Sequence, residues 1–530
     1  MHLPLTPIRC LYRGVDLYGK KEGIVSGTRR FTYAQFGERC ERLAAGLLGL
    51  GVKPGDRVAY LSFNTNQLLE GYYGPPLIRA MVMPLNVRLT PAELTQILNH
   101  SGAKVLIFEN EFAPLVEAFQ KDCPEIKSYV ATDGAIPQAQ ITYEELLAQG
   151  RIERPDWTKF DENEIAELFY TSGSTGTPKG VTLSHRTLYL HALNCLSTRT
   201  YDDVDVDLHT IPLFHANGWG AAQTAPMVGR KQVMVRRFEP TFVLRTIQEE
   251  CATHMALVPV MGNALLNSPD LGKFDTSTLK DIIMGGAASS PELIERLEKA
   301  FHCRVVVGYG LTETSPMVSQ SRVKGTVHFE DESDRLLRMS MAGWPAVGVE
   351  ARVVDSQMRD VPRDGSIMGE IIVRSDNVMD GYFREEKATE AVMTDGWFHT
   401  GDMAVWDDET FLHIVDRKKD IIISGGENIS SIEVEKAIFA HPAVFECAVV
   451  GAPDTKWGEI PVATVVLKPG EHLTTEELSS FLEQRIAKFK MPRKIHFSEQ
   501  PLPKTGTGKI LKREIRDTLW AGKSRKVQGA

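Results

Sequence analysis

Residues 170–181 read Tyr-Thr-Ser-Gly-Ser-Thr-Gly-Thr-Pro-Lys-Gly-Val. Small hydroxyl residues and glycines fill the stretch, and a lysine stands near its end. Backbone N–H groups in such a loop can approach phosphate oxygens closely, because no bulky side chain intervenes. Thr171, Ser172, Ser174 and Thr175 add hydroxyl donors, Gly173, Gly176 and Thr177 complete the loop, and Lys179 adds a point charge. It is not a Walker A loop, since Pro178 precedes the lysine and Gly180 follows it. A Ser/Gly linker is the bland alternative. The apolar run Ile165–Tyr170 reads as a strand, and Ser184 reads as the N-cap of a helix carrying Leu188, Ala192 and Cys195. Strand, glycine-rich loop and helix start together suggest a phosphate site.

Outward from this loop, residues from about 30 to 400 alternate helix-like and strand-like segments. Tyr33–Leu50 is an amphipathic helix, and Asp56–Phe63, Lys104–Glu109 and Cys303–Val307 are strands. That alternation implies an α/β fold with mainly parallel sheets. The pattern changes within Asp416-Arg417-Lys418-Lys419-Asp420, five consecutive charges that are not expected in a core. Beyond them the order is strand Ile421–Ile423, helix Ser431–Ala440, strands Phe445–Val450 and Pro461–Leu467, helix Thr475–Lys488 and strand Lys494–Ser498. Both helices open on capping-box patterns, Ser430-x-x-Glu433 and Thr474-x-x-Glu477. The order resembles a ferredoxin-like unit.

The 530 residues are enough for at least two domains, and 42% hydrophobic with 24% charged residues is ordinary for a globular chain. A net charge of −9 argues against nonspecific nucleic-acid binding. The seven cysteines lack zinc or C-x-x-C spacing, which is the pattern of reduced thiols and a cytoplasmic setting. No signal-peptide pattern opens the sequence, and no apolar run of about 18 residues offers a membrane span.

Four further segments join the loop: Gly285-Gly286-Ala287-Ala288, Tyr309-Gly310-Leu311-Thr312-Glu313-Thr314, Trp397-Phe398-His399-Thr400-Gly401-Asp402 and Pro503-Lys504-Thr505-Gly506-Thr507-Gly508-Lys509. In this order and spacing they resemble the adenylate-forming superfamily, which includes acyl-CoA synthetases, luciferases and peptide-synthetase adenylation domains. The resemblance runs from about residue 30 to 516. It implies a large N-terminal domain over 1–417, of stacked α/β subdomains plus a β-barrel-like part, and a small mobile α+β domain over 418–530. It also implies ATP, Mg²⁺ and coenzyme A as reactants and cofactors. By this likeness Thr171–Lys179 hold the β- and γ-phosphates. Gly286, Ala287 and Ala288 with Tyr309 and Gly310 form the adenine slot. Thr312 touches the α-phosphate, Glu313 ligates Mg²⁺ with help from Thr175, and Asp402 with Arg417 takes the ribose hydroxyls. Lys509 bridges carboxylate and α-phosphate during adenylation.

The likeness also implies two half-reactions separated by rotation of the small domain about Lys419, after which Gly425, Gly426 and Glu427 face a pantetheine tunnel. Residues 488–530 carry twelve Lys/Arg against three Asp/Glu, which suits either the phosphates of CoA or a solubilising tail. In Pro212–Trp219, His215 stands where amino-acid-activating members carry aspartate, so an amino-acid substrate is not expected. His215 steers the carboxylate or is a packed core histidine. Trp219 gates an acyl tunnel or is core. Val258, Met261, Met284 and Met317 are candidate acyl-pocket residues, and methionine suits irregular alkyl shapes. A medium-chain fatty acid is the expected substrate, with benzoate- or cinnamate-like acids next. A carrier-loading acyl-AMP ligase and a luciferase-like oxygenase are the rivals. Oligomeric state is open, a homodimer being one option.

Overall fold

The computed structural model describes residues 3–171, 178–198, 201–425, 427–504 and 510–520. The chain is mixed α/β and divides into two compact units. The first comprises 1–351, 372–399 and 409–412, and the second 352–371, 400–408 and 413–530.

Two large sheets organise the first unit. The eight-stranded sheet runs Gly381–Tyr382, Lys179–Ser184, Ile165–Thr171, Met81–Pro84, Arg57–Leu61, Val105–Phe108, Ser128–Ala131 and Ile141–Thr142. Its pairings from Ile165–Thr171 onward are parallel, while Lys179–Ser184 and Gly381–Tyr382 add antiparallel. The nine-stranded sheet runs Trp344–Pro345, Met317–Gln320, Arg304–Gly310, Asp281–Met284, His254–Leu257, Val206–His209, Lys231–Met234, Glu22–Ser26 and Arg29–Thr32. Its six middle and inner strands, from Arg304–Gly310 to Glu22–Ser26, are parallel. The buried strands read as unbroken apolar runs, as Val105–Phe108 does, because helices cover both faces. Helix starts follow local chemistry. Thr32 with Gln35 and Thr90 with Glu93 form reciprocal capping boxes, and proline opens the helices Pro91–Ser101, Pro240–Glu250 and Pro291–Phe301.

The expected strands fall within two or three residues of their sequence-based limits: Arg57–Leu61, Val105–Phe108 and Arg304–Gly310. One local expectation fails. The loop after Ile165–Thr171 does not lead into a helix. The chain first returns as the strand Lys179–Ser184, and the helix His185–Ser197 follows, capped by Ser184 as expected. Val181 and Leu183 alternate with polar neighbours and are fully buried, a strand signature overshadowed by the glycines before it.

The C-terminal part of the second unit has strands Ile422–Ser424, Glu427–Ile429, Val444–Asp454, Gly458–Leu467 and Lys494–Phe497 with helices Ser431–Phe439, Thr475–Glu483 and Lys512–Trp520. An extra strand, Glu427–Ile429, pairs back on the first. Only Thr474 completes its capping box. Ser430 caps Glu433 N, but Glu433 turns its carboxylate to Lys490 Nζ at 2.6 Å and 2.8 Å.

The charged run 416–420 is not wholly solvated. Asp416 and Asp420 are buried, at 1% and 9% exposure. Buried carboxylates persist when they are paired, and both are paired here. Asp416 Oδ2 accepts from Ser431 N (2.5 Å) and Ser431 Oγ (2.6 Å), at the start of the helix Ser431–Phe439. Asp420 pairs with Arg516 of the helix Lys512–Trp520, and that helix also sends Lys512 Nζ to Glu435 (2.8 Å) and Trp520 Nε1 to Gly451 O (2.9 Å). Asp416→Ala leaves the Ser431 donors unpaired and is expected to cost about 2–4 kcal/mol. Hydrogen-exchange mass spectrometry should show faster exchange across 413–440 and an unchanged rate in strands 57–61 and 105–108.

Candidate active site

The phosphate-loop candidates Ser172, Gly173, Ser174, Thr175, Gly176 and Thr177 lie outside the described residues, as do Gly426 and Lys509. The frame of the loop is well defined. Thr171 and Lys179 face each other as the last pair of an antiparallel hairpin, with Tyr170 opposite Gly180. The segment 379–383 grips this hairpin from its other side. Gly381 and Tyr382 pair with Thr182 and Val181, and Thr182 Oγ1 donates to Gly381 O at 2.7 Å. Ser184 N donates to Asp380 Oδ2 at 2.7 Å.

The same segment reaches the Tyr309–Thr314 motif. Met379 N donates to Glu313 O at 2.8 Å, and Tyr382 OH donates to Glu313 Oε1 at 3.0 Å. Lys179 Nζ lies 4.6 Å from the centre of the Tyr382 ring, a cation–π distance. Burial and the adjacent Glu313 carboxylate both raise the Tyr382 phenol well above its ordinary range, so it stays a donor at neutral pH. Tyr382 was not a sequence candidate. No spacing rule links it to a lysine 203 residues earlier, and the sheet register alone unites them.

Tyr309 and Gly310 end the strand Arg304–Gly310, and Thr312 is buried in the short turn that follows. Gly310 has no substitute, because a Cβ there would lie 1.6 Å from Pro316 O. Gly286 adopts φ +75°, in the left-handed region, and leads an exposed run with Ala287 and Ala288. A Cβ on Gly286 would meet Val258 Cγ1 at 3.1 Å and Trp219 Cζ2 at 3.7 Å. The acyl candidates Trp219 and Val258 therefore lie against the adenine-slot candidate. Met284 behaves differently: it is fully buried, and its Cε is 3.4 Å from the Cβ position of Gly262, beside Leu297 and Leu293. Met261 packs on the same cluster, and Met317 Sδ accepts from Gln320 Nε2 at 2.9 Å.

Trp219 stands in an unusual backbone. Ala216, Asn217, Gly218, Trp219 and Gly220 all have positive φ, from +43° to +86°. Such conformations cost roughly 1 kcal/mol or more per non-glycine residue and need external support. His215 N donates to Pro212 O at 3.0 Å just before this run. Support comes from Glu167, on the strand that leads into the phosphate loop. Its Oε2 accepts from Asn217 Nδ2 at 3.1 Å and its Oε1 from Gln223 Nε2 at 2.7 Å. Burial pushes the Glu167 carboxyl up to about 8, with the two amide hydrogen bonds only partly offsetting it. A lone acid inside the apolar run Ile165–Tyr170 was the available signal for it.

In the second unit, Arg417 Nε lies 2.6 Å from Asp402 Oδ1. Asp402 is buried within the strand Trp397–Trp406, not at a turn, and Arg417 is exposed. Lys419 and Glu427 are exposed. Gly425 has φ +62°, and a Cβ there would lie 2.6 Å from the Trp457 ring. Trp457 is 40% exposed, with Lys456 Nζ 4.8 Å from its ring centre.

No three His, Cys, Asp or Glu side chains cluster as a metal site among the described residues. Glu313 offers one hard oxygen donor group. That fits Mg²⁺, which commonly takes one or two carboxylates and completes its shell with phosphates and water. Among the described residues, no helix is long and apolar enough to cross a membrane.

Glu167 gives a pH signature. Its folded pKa of about 8 lies above the ordinary carboxylate value near 4.5, so the folded chain retains a proton that the unfolded chain releases. Stability should therefore fall as pH rises from about 4.5 to about 8, by up to about 1.4 kcal/mol per unit from this group. Glu167→Gln is expected to remove that part of the slope in melting temperatures measured across the window.

Comparison with known proteins identifies the family. Residues 12–383 match the AMP-binding enzyme family model, and residues 433–509 match the AMP-binding enzyme C-terminal domain. The chain is 39% identical to a long-chain-fatty-acid–CoA ligase of Thermus thermophilus, covering 96% of this chain and 94% of that protein. It is 34% identical to a peroxisomal butyrate–CoA ligase of Arabidopsis thaliana, covering 97% and 93%. The crystal structure of the anthranilate CoA ligase AuaEII in complex with anthranoyl-AMP superposes with a TM-score of 0.87 at 25% identity, covering 98% of each chain. The chain belongs to the AMP-binding enzyme family, in its acyl-CoA synthetase branch.

Proposed function

We propose that this acid–CoA ligase activates a medium-chain fatty acid. A carboxylate is a poor electrophile, since it carries charge and would have to expel oxide. Its oxygen attacks the α-phosphorus of ATP, pyrophosphate leaves, and an acyl-AMP results. The CoA thiolate then attacks the acyl carbonyl and AMP departs, so one difficult step becomes two easier ones.

The observation that carries this reading is the convergence of Lys179 and Glu313 on Tyr382 beside the loop hairpin. A cation and a carboxylate held near a loop of small residues suit a polyphosphate and its counter-ion. Bound Mg²⁺ would neutralise phosphate charge, and Glu313 would hold it, with Thr175 proposed beside it. In the first unit, Thr171–Lys179 take the phosphate chain, Gly286–Ala288 with Tyr309 and Gly310 the adenine, and Thr312 the α-phosphate. In the second, Asp402, oriented by Arg417, takes the ribose hydroxyls. Lys509 stabilises the charge that builds on the α-phosphate during adenylation. Gly425, Gly426 and Glu427 guide the pantetheine arm. The boundary proposed between 417 and 418, with its pivot at Lys419, falls between Asp416 and Asp420, two carboxylates tied to helices of the second unit.

For the acid, the contact of Trp219 and Val258 with Gly286 supports an apolar acyl path next to the adenine slot. The Thermus relative is named for long-chain acids and the Arabidopsis relative for butyrate, which brackets a medium chain. His215 is proposed to orient the carboxylate.

The test is an end-point mass-spectrometric assay with ATP, Mg²⁺ and a mixed pool of fatty, branched and aryl acids, with and without CoA. AMP and one C6–C12 acyl-CoA, formed only with CoA, are expected. A benzoyl- or cinnamoyl-CoA product would replace the alkyl assignment. Accumulated acyl-AMP unaffected by CoA would replace the CoA step with carrier loading. Lys509→Ala should lower acyl-AMP formation by two orders of magnitude or more and leave thioester formation from supplied acyl-AMP within about threefold.

A further inference from the structure

We propose that Tyr382 is a positioning residue that sets the phosphate-binding cation and the metal-binding carboxylate together. The proposal rests on the adenylation reading above. It is carried by three contacts of one residue, two of its side chain and one of its backbone. The ring lies under Lys179 Nζ at 4.6 Å, the hydroxyl donates to Glu313 Oε1 at 3.0 Å, and the backbone N donates to Thr389 Oγ1 at 2.8 Å.

Each contact restrains a different degree of freedom. Lysine carries its charge on four flexible carbons, and an aromatic face confines that charge without consuming its three N–H donors. The phenol takes one lone pair of the Glu313 carboxylate and fixes its plane, leaving the carboxylate charged for a cation. A direct Lys179–Glu313 ion pair would do the opposite, since each would neutralise the other. The structure puts Tyr382 between them instead. Tyr382 itself is not adjustable. It is paired to Val181 on the hairpin strand, flanked by the hydrogen bonds Asp380 N to Thr182 O (3.0 Å) and Phe383 N to Gly180 O (2.7 Å). Moving Tyr382 means moving the base of the phosphate loop. Ligand phosphates and their cation are thus presented with two handles of fixed separation.

The two contacts can be removed separately. Tyr382→Phe keeps the ring under Lys179 and deletes the bond to Glu313. Tyr382→Leu deletes both. Isothermal titration of ATP into the full chain, without acid or CoA, in excess Mg²⁺ or in EDTA, reads binding apart from turnover. Tyr382→Phe is expected to weaken ATP binding roughly tenfold in Mg²⁺, the scale of a hydrogen bond to a charged group, and to leave binding in EDTA unchanged. Tyr382→Leu should weaken binding in both. In a Glu313→Gln background, Tyr382→Phe should add nothing, because its partner has lost its charge. Pyrophosphate exchange by Tyr382→Phe should show a raised KM for ATP, with thioester formation from supplied acyl-AMP unchanged.

Equal losses in Mg²⁺ and EDTA, or an undiminished effect of Tyr382→Phe beside Glu313→Gln, would overturn the positioning role, as would parental affinity in Tyr382→Phe. In each of those cases the adenylation reading survives through the parent's own Mg²⁺-dependent ATP binding. A parent chain that binds no ATP in Mg²⁺ would remove both. Melting temperature of Tyr382→Phe within about 2 °C of the parent keeps the comparison free of unfolding.

Discussion

The nucleotide side of this protein depends on the register of one hairpin. Thr171 faces Lys179, so the seven intervening residues start and finish at a fixed point of the sheet edge. A shift of one residue would turn Lys179 to the opposite face, since side chains alternate along a strand. Three features oppose such a slip. Val181 and Leu183 are fully buried, Ser184 N is bonded to Asp380, and Gly381–Tyr382 closes the outer edge of the hairpin. The loop's composition is local, but the register of the strand that follows it is held by a segment two hundred residues downstream.

Buried carboxyl groups recur where a segment must be held against its own backbone preferences or tied to a second element. The run Ala216–Gly220 takes a left-handed path no ordinary sequence would choose, and Glu167 holds it by two amide bonds. Glu167 lies four residues before Thr171 on the same strand, so the left-handed run and the strand that enters the proposed phosphate loop share one anchor. Asp416 plays a similar part in the second unit. It joins the strand Leu412–Arg417, which also carries Arg417, to the helix Ser431–Phe439.

Much of this was legible in the sequence, and the limits have physical causes. The α/β alternation, the Ser184 cap and the Thr474 box depend on residues a few positions apart, and local rules reached them. Five motifs in order pointed to adenylate-forming chemistry because glycines, hydroxyls and a lysine at close approach serve few other purposes. The strand Lys179–Ser184 was missed because glycine at its start masked a short alternating pattern. Burial of Asp416 and Asp420 was missed because composition reports charge and not its partners; Ser431 and Arg516 lie 15 and 96 residues away. Tyr382 was missed for the same reason, since its role is created by sheet pairing and not by neighbours in sequence.

An enzyme that must grip a polyphosphate and its cation faces a conflict. The cation and anion it keeps for that purpose attract each other, and in a partly dry site that attraction grows as the dielectric falls. Left adjacent, they would collapse into an ion pair and meet the ligand already neutralised. Long separation would avoid collapse but lose the geometry. An aromatic ring with a phenolic hydroxyl resolves the conflict, because its face attracts the cation and its edge donor attracts the carboxylate while its width keeps them apart. Phenylalanine supplies only the face, and serine only the donor. Tyrosine at 382, fixed by the same sheet edge that carries the loop, supplies both from one rigid group.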